Sequence, residues 1–368
     1  MKSSVPPAEV LFADIAYDVI EPDRTLPAKF KRLIKRFDLE TRVKDKKVAV
    51  KMHFGGSHGY TTIHPVFVRI LVEEIKAAGC RKVMLMDDDP ENGIPRGYVP
   101  EVVGCQLVSC FGAGKKYLYR EEIGFKKLDH VHFGGEVADA DYFIDFSHIK
   151  GHGDCGFGGA IKNIAMGCTP PESRSKLHGL EGGLTYDKSK CTFCLKCHAA
   201  CPNNAIQPDH EKRQIGVFFH NCTYCQHCVM ICPTKAIVME DRKFEDFTKG
   251  MALVTKKFLD RYDPSDRLFI NVLTDITIFC DCWGMSTPSL VPDIGILAST
   301  DICAVEQATL DMIKVEDFLP KGMPKNRKLL AEGKHLFERI HAKDPYLMIS
   351  QLEALTDYTT RYQLTEIK

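Results

Sequence analysis

Cys191-Thr192-Phe193-Cys194-Leu195-Lys196-Cys197-His198-Ala199-Ala200-Cys201-Pro202 is answered further on by Cys222-Thr223-Tyr224-Cys225-Gln226-His227-Cys228-Val229-Met230-Ile231-Cys232-Pro233. Both runs read Cys-x2-Cys-x2-Cys-x3-Cys-Pro. Three thiols at these short intervals can wrap one compact inorganic core, and the fourth of each run reaches the core of the other. The spacing therefore predicts two [4Fe-4S] clusters. Cys191, Cys194, Cys197 and Cys232 would hold one, and Cys222, Cys225, Cys228 and Cys201 the second. Pro202 and Pro233 fix φ and remove a donor, which turns the chain away after each fourth thiol. A lone Cys-x2-Cys would equally suit structural zinc or a redox pair, but the repeated x3-Cys-Pro ending has no zinc rationale. Ala205-Ile206 and Ala236-Ile237 follow the two Cys-Pro pairs at matched offsets, so the segment is an internal repeat.

From Leu184 to Glu240 the sequence resembles bacterial two-cluster ferredoxins. Outward from this segment the pattern changes. Val10 to Ala13, Lys47 to Met52, Val83 to Met86 and Tyr142 to Ser147 read as strands. Thr25 to Phe37 and Pro65 to Ala78 have helical spacing, the second opening on Pro65 and stopping at Gly79. Strand, loop, helix, glycine, strand is a βαβ unit, hence a parallel sheet. Beyond the cysteines, Phe247 to Tyr262 reads as a helix, Arg267 to Leu273 as a strand and Cys303 to Ile313 as a helix. The expected fold is α/β: a parallel or mixed sheet domain interrupted by a small ferredoxin-like α+β insertion. Residues 1–183 form its first part, 184–240 the insertion and 241–368 its second part. Three domains in series are the alternative. Arg267 to Leu273 favours insertion, because it reads as a further buried strand.

The 368 residues suffice for two ordinary domains. Lys plus Arg and Asp plus Glu balance at 49 each, which argues against a nucleic-acid partner. No apolar stretch approaches the length of a membrane span. Sixteen cysteines and no secretory head near Pro6, Pro7 and Glu9 point to a reducing, cytoplasmic setting.

Three loops follow strands and carry the polar groups: 53–59, 148–162 and 280–293. The middle loop is the richest. His148, Lys150, His152 and Lys162 are the candidates for proton delivery or for clamping an anionic small molecule. Gly151, Gly156, Gly158, Gly159 and Asn163 are the candidates for cofactor binding, since glycine lets backbone approach a ligand closely. The loop lacks the glycine spacing of a dinucleotide fingerprint and the Lys-Ser/Thr ending of a phosphate loop. Cys280-Asp281-Cys282 suits a metal, a redox pair or a nucleophile, or simply two buried thiols.

The run Val50-Lys51-Met52-His53-Phe54-Gly55, the stretch Ser147-His148 through Lys162-Asn163, Met166-Gly167-Cys168, Cys280-Asp281-Cys282-Trp283 and Pro292-Asp293-Ile294-Gly295 together resemble the prokaryotic family termed domain of unknown function 362, often called iron–sulfur center proteins. The resemblance implies an α/β protein, in many members with the two-cluster insertion, and implies no substrate. The first functional expectation is an oxidoreductase or electron carrier. Its clusters would pass electrons from a redox partner protein to an acceptor at the glycine-rich loop, with a second organic cofactor such as a flavin there. The alternative is non-redox binding, metal or cluster maturation, or a scaffold.

Overall fold

The computed structural model describes residues 5–56, 58–182, 184–201, 204–218, 222, 227–239, 244–284, 286–325 and 329–368, with Trp283 by its backbone alone. The strands in chain order are β1 (Ala8–Asp14), β2 (Lys47–Lys51), β3 (Lys82–Asp87), β4 (Gln106–Ser109), β5 (Leu118–Phe125), β6 (Leu128–Gly134), β7 (Tyr142–His148), β8 (Lys150–His152), β9 (Gly156–Gly158), β10 (Leu184–Tyr186), β11 (Ile206–Asp209), β12 (Gln214–Val217), β13 (Ile237–Met239), β14 (Arg267–Leu273), β15 (Gly295–Ser299) and β16 (Tyr362–Glu366). Eight of them make one sheet in the order β16-β1-β15-β14-β7-β2-β3-β4. The run from β14 to β4 is parallel throughout, with Ile144 of β7 facing Val50 of β2 on one side and Leu268 of β14 on the other. β15 runs antiparallel to both β14 and β1, so the sheet is mixed.

Side chains alternate across a strand, and the two faces collect different partners. Val48, Val50, Ile144, Phe146, Leu268 and Ile270 pack with Phe30, Leu33 and Ile34 of helix Leu26–Lys35 and with Val68, Leu71 and Ile75 of helix Pro65–Ala77. Ala49, Met84, Phe143 and Phe269 face the other way, against Met251, Val254 and Phe258 of helix Phe244–Leu259 and Val305 and Ala308 of helix Ile302–Met312. Each large apolar side chain of this kind, fully buried, contributes about 1.5–3 kcal/mol. Helix Pro65–Ala77 begins where Pro65 has no N–H to lose and His64 Nδ1 accepts from the Val66 amide at 3.2 Å. It stops at Gly79, whose φ of +80° suits glycine.

β14, β15 and β16 join strands that precede the cysteine segment, so one sheet is built from both sides of that segment. The segment itself contributes two short pairs, β10 with β13 and β11 with β12, both antiparallel. The expected ferredoxin-like module is corrected to this coarser statement: a large mixed sheet with smaller strand pairs beside it. Pro202, one of the two expected turning points, lies outside the described residues. Hairpin β5–β6 and the short pair β8–β9 were not expected from the sequence. Among the described residues no helix is long and apolar enough to cross a membrane.

Candidate functional site

The carboxyl ends of β2, β3 and β7 open on one side of the sheet, the place where open α/β sheets hold ligands. A cavity of about 420 Å³ lies there. β2 delivers Lys51 and then His53, β3 delivers Asp87 and then Asp88, and the loop after β7 delivers Lys150, His152 and Lys162.

Lys51 is fully buried. Its Nζ donates to Asp87 Oδ1 at 3.0 Å, Asn163 Oδ1 at 2.8 Å and Met52 O at 3.1 Å, which uses all three of its protons. Burial works against its charge, but Asp87 beside it wins and holds its pKa above the ordinary lysine value. Asn163 Nδ2 donates to Asp145 Oδ2 at 2.8 Å and to Lys51 O at 3.1 Å. Asp145 is the exception among these acids. Burial pushes its carboxyl up to about 8, despite Ser147 Oγ at 2.5 Å and the nearby Lys51 charge. Glu306, also buried, is pushed up to about 7 by burial, and accepts from the Ala160 amide at 2.8 Å. Beneath the cavity the protein thus keeps one charged pair, Lys51 with Asp87, and two carboxyls, Asp145 and Glu306, that burial makes harder to ionise than ordinary acids.

Asp87 Oδ2 accepts from the Phe54 amide and from His53 Nδ1, both at 2.9 Å. Burial opposes its charge, yet Lys51 and His53 hold it well below the usual carboxylate range. The carboxylate fixes the proton on His53 Nδ1, which leaves Nε2 with a lone pair. That Nε2 is buried and has no hydrogen-bond partner among the described residues. Burial lowers the His53 pKa and outweighs Asp87, so the ring is neutral near pH 7. A neutral imidazole, oriented by a carboxylate and lining a cavity, is equipped to accept a proton.

His148 stands behind this wall. Its Nδ1 meets Asp281 Oδ2 and its Nε2 meets Thr274 O, each at 2.9 Å. Lys150 Nζ lies 3.1 Å from the same Asp281 oxygen and donates to His148 O at 2.7 Å. Asp281 is held below the usual range by His148 and Lys150, against the effect of its burial. Lys162 differs from its neighbours. Lys51 has Asp87, Lys115 and Arg174 share Asp88, and Lys150 has Asp281. Among the described residues Lys162 alone of these has no carboxylate partner. Burial, and then the Lys150 charge, bring its amine down to about 8.

His152 Nδ1 accepts from the Asp154 amide at 3.1 Å and the Cys155 amide at 3.2 Å, so Nε2 carries the ring proton. Cys280 and Cys282 are joined as a disulfide. Their sulfurs and a His152 nitrogen lie within 4.8 Å of one another.

Of the residues expected from the sequence, Lys150, His152, Gly159, Lys162 and Asn163 come together around the cavity. The glycines have close protein neighbours. A Cβ on Gly151 would stand 2.4 Å from Ile278 O, and one on Gly159 2.3 Å from Glu306 Oε1. Gly158 lies beside the stems of Lys150 and Lys162, and Gly156 has a φ of +83°. The expected set omits His53, Asp87 and Asp281. His53 and Asp87 had a signal, since each lies at or just after the end of a parallel strand.

The expectation of two [4Fe-4S] clusters is corrected. Among the described residues, His152, Cys280 and Cys282 are the one group of three or more His, Cys, Asp or Glu side chains whose ligand atoms lie within 4.8 Å of one another. No three thiols between Cys191 and Cys232 gather that closely among the described residues, and Cys225 lies outside them. Spacing along a chain dictates local turns, not how sulfurs gather in space. Cys197, Cys222 and Cys228 are buried with Leu184, Ile206 and Ile237, whereas Cys194 is exposed. Cys201 and Cys232 accept from the amides of Ala205 and Ala236 at 3.1 and 3.2 Å, so the repeat is visible as paired local turns. The iron–sulfur electron carrier, the redox partner protein, the oxidoreductase activity and the second organic cofactor rested on those clusters and are corrected with them.

Comparison with known proteins gives a family. A family profile described as "Domain of unknown function (DUF362)" matches residues 48–311. No curated protein matches the sequence. A crystal structure of a Thermotoga maritima protein is similar at a TM-score of 0.37 and 11% identity, over 69% of this chain and 52% of that one. The lactate racemase apoprotein of Thermoanaerobacterium thermosaccharolyticum is similar at a TM-score of 0.34 and 13% identity, over 73% of this chain and 56% of that one. The chain spans about half the length of these two proteins. Likenesses this loose assign neither fold nor function here.

Proposed function

We propose, for a chain that belongs to the DUF362 family of unknown function, that the cavity at the strand ends binds a small organic anion and moves protons on it without redox chemistry. The observation that carries this reading is Lys162, a cation left without a carboxylate among the described residues where its neighbours are paired. Five Lys and Arg side chains line the cavity (Lys51, Lys115, Lys150, Lys162 and Arg174) against three Asp (Asp87, Asp88 and Asp89). Adding Asp281 behind the wall still leaves positive charge in excess. His53 supplies the proton acceptor and His152 Nε2–H a donor. The test is isothermal titration of the reduced, folded protein with small mono- and dicarboxylates and inorganic phosphate. At least one should bind, and Lys162→Met should weaken it about tenfold or more, the loss of one charge-assisted hydrogen bond. If no anion binds, or Lys162→Met binds equally well, the reading fails.

A second reading is metal binding, favoured by the grouping of His152, Cys280 and Cys282. A disulfide cannot ligate, so the site would exist only after reduction to two thiolates, ligands suited to Zn2+. Binding through Nε2 must also move the ring proton to Nδ1, which then gives up the amides of Asp154 and Cys155. Reduced protein should take up about one Zn2+ and release about two protons, one from each thiol, and oxidised protein should take up none. Equal uptake in both states would sink this reading.

We also propose that residues 184–240 form a unit of their own, since Leu184, Ile206, Ile215 and Ile237 make a small core apart from those of the sheet. The thiols Cys191, Cys194, Cys197, Cys201, Cys222, Cys225, Cys228 and Cys232 are kept as proposed metal ligands, and a cytoplasmic location as the setting that keeps them reduced. Four of them, Cys191, Cys194, Cys197 and Cys232, line one small cleft.

A further inference from the structure

We propose that Lys162 is a nucleophile: its amine condenses with the carbonyl group of an anionic substrate, a 2-oxo acid or a phosphorylated aldehyde or ketone, to form an imine. The inference rests on the anion-binding reading above and gives that anion a second functional group.

The lysines of the cavity differ in what they are free to do. Lys51 spends its three protons on protein acceptors and cannot leave them. Lys150 is tied to Asp281 and to His148 O. Lys115 is tied to Asp88. Each of these is a fixed positive charge. Lys162 has no such acceptor among the described residues, and it shares the cavity with them. An amine without an anion partner, partly buried and crowded by another cation, has its neutral form within reach near pH 8. A lysine placed in this way becomes an attacking group. Lys150, Lys115 and Arg174 keep donors beyond these bonds, and they hold the substrate's carboxylate or phosphate.

The remaining parts of the reaction are also present. The ammonium form of Lys162 gives one proton to His53 Nε2, the lone pair that Asp87 orients. The freed amine nitrogen forms a bond to the carbonyl carbon, and the C=O π pair moves to oxygen. That oxygen takes up two protons, one returned by His53 and one from the nitrogen, and departs as water. The balance is lysine ammonium plus carbonyl giving protonated imine plus one water, with no oxidant or reductant. His152 lines the same cavity.

The experiment uses the full chain, with sodium borohydride added in the presence of pyruvate, glyoxylate or glyceraldehyde 3-phosphate. Borohydride fixes an imine as a stable amine. Intact mass and peptide mapping should show one adduct per chain, at Lys162, formed faster than on any surface lysine. It should be lost in Lys162→Arg and Lys162→Met. A His53→Asn variant should label at least tenfold more slowly yet still bind acetate or phosphate. Labelling spread over surface lysines, or none on wild-type protein that still binds anions, overturns the nucleophile and leaves the anion site standing. If titration shows that no anion binds at all, the underlying reading fails and the nucleophile with it.

Discussion

Lys51→Met should destabilise the fold by about 3–5 kcal/mol, the cost of removing one member of a buried ion pair. Methionine keeps the length and apolar bulk of the stem, so the loss is that of the charge and its hydrogen bonds. Asp87 Oδ1, Asn163 Oδ1 and Met52 O would lose their shared donor together. Asp87 would keep only the Phe54 amide and His53, and His53 would be drawn toward its charged form to compensate. Urea unfolding followed by circular dichroism measures the effect. A loss below about 1 kcal/mol, no more than an exposed pair contributes, would mean that the pair is no anchor. The double variant Lys51→Met with Asp87→Asn should cost less than the sum of the singles, because each single leaves the other's partner stranded. Strict additivity would show that the two side chains do not act as a pair.

This pair also shows what the sequence made legible and what it hid. β2, β3, β7 and β14 are visible as apolar runs because strands buried on both faces need apolar side chains at nearly every position. Lys51 ends such a run, and nothing in the neighbouring sequence marks it as fully buried. Its partners, Asp87 and Asn163, are 36 and 112 positions away, and only the parallel pairing of β2 with β3 and β7 brings them together. The glycine-rich loop could be found because its composition is local. Its partner Asp281 is 133 positions from His148 and could not be found that way. The antiparallel insertion of β15 between β14 and β1 is hidden for a different reason. A buried strand has the same composition whichever way it runs, and direction is set by the connection that delivers it. The cysteine runs had the strongest local signal of all. The amides of Ala205 and Ala236 donate to Cys201 and Cys232 at matching places in the two runs. The grouping of thiols in space is not a property of spacing.

The stability of the protein should fall as pH rises from about 5 to about 9, and Asp145→Asn should remove much of that slope. Asp145 has a folded pKa of about 8, raised from an ordinary 3.8. A raised folded pKa means that the native state holds the proton more tightly than the unfolded chain does. Its contribution is therefore complete below about pH 4 and is lost progressively as pH climbs through 8. A rise of this size corresponds to an upper figure on the order of 5 kcal/mol. Glu306, at about 7 in the fold, adds to the same decline and finishes earlier. Asparagine imitates the neutral acid at Asp145 and can still accept from Asn163 Nδ2, which Asp145 Oδ2 does at 2.8 Å. The variant should thus match or fall slightly below the wild type at pH 5 and exceed it at pH 9. Parallel stability curves would show that Asp145 is already ionised in the native protein. That result would reach the site itself. With Asp145 neutral, the one Lys51 charge is matched by Asp87 alone, and Asp87 stays committed to orienting His53. With Asp145 charged, Lys51 would be shared between two carboxylates, and the His53 ring would be drawn toward imidazolium by the less compensated Asp87. The difference between the two pH profiles therefore decides whether His53 waits in the cavity as a base or as an acid.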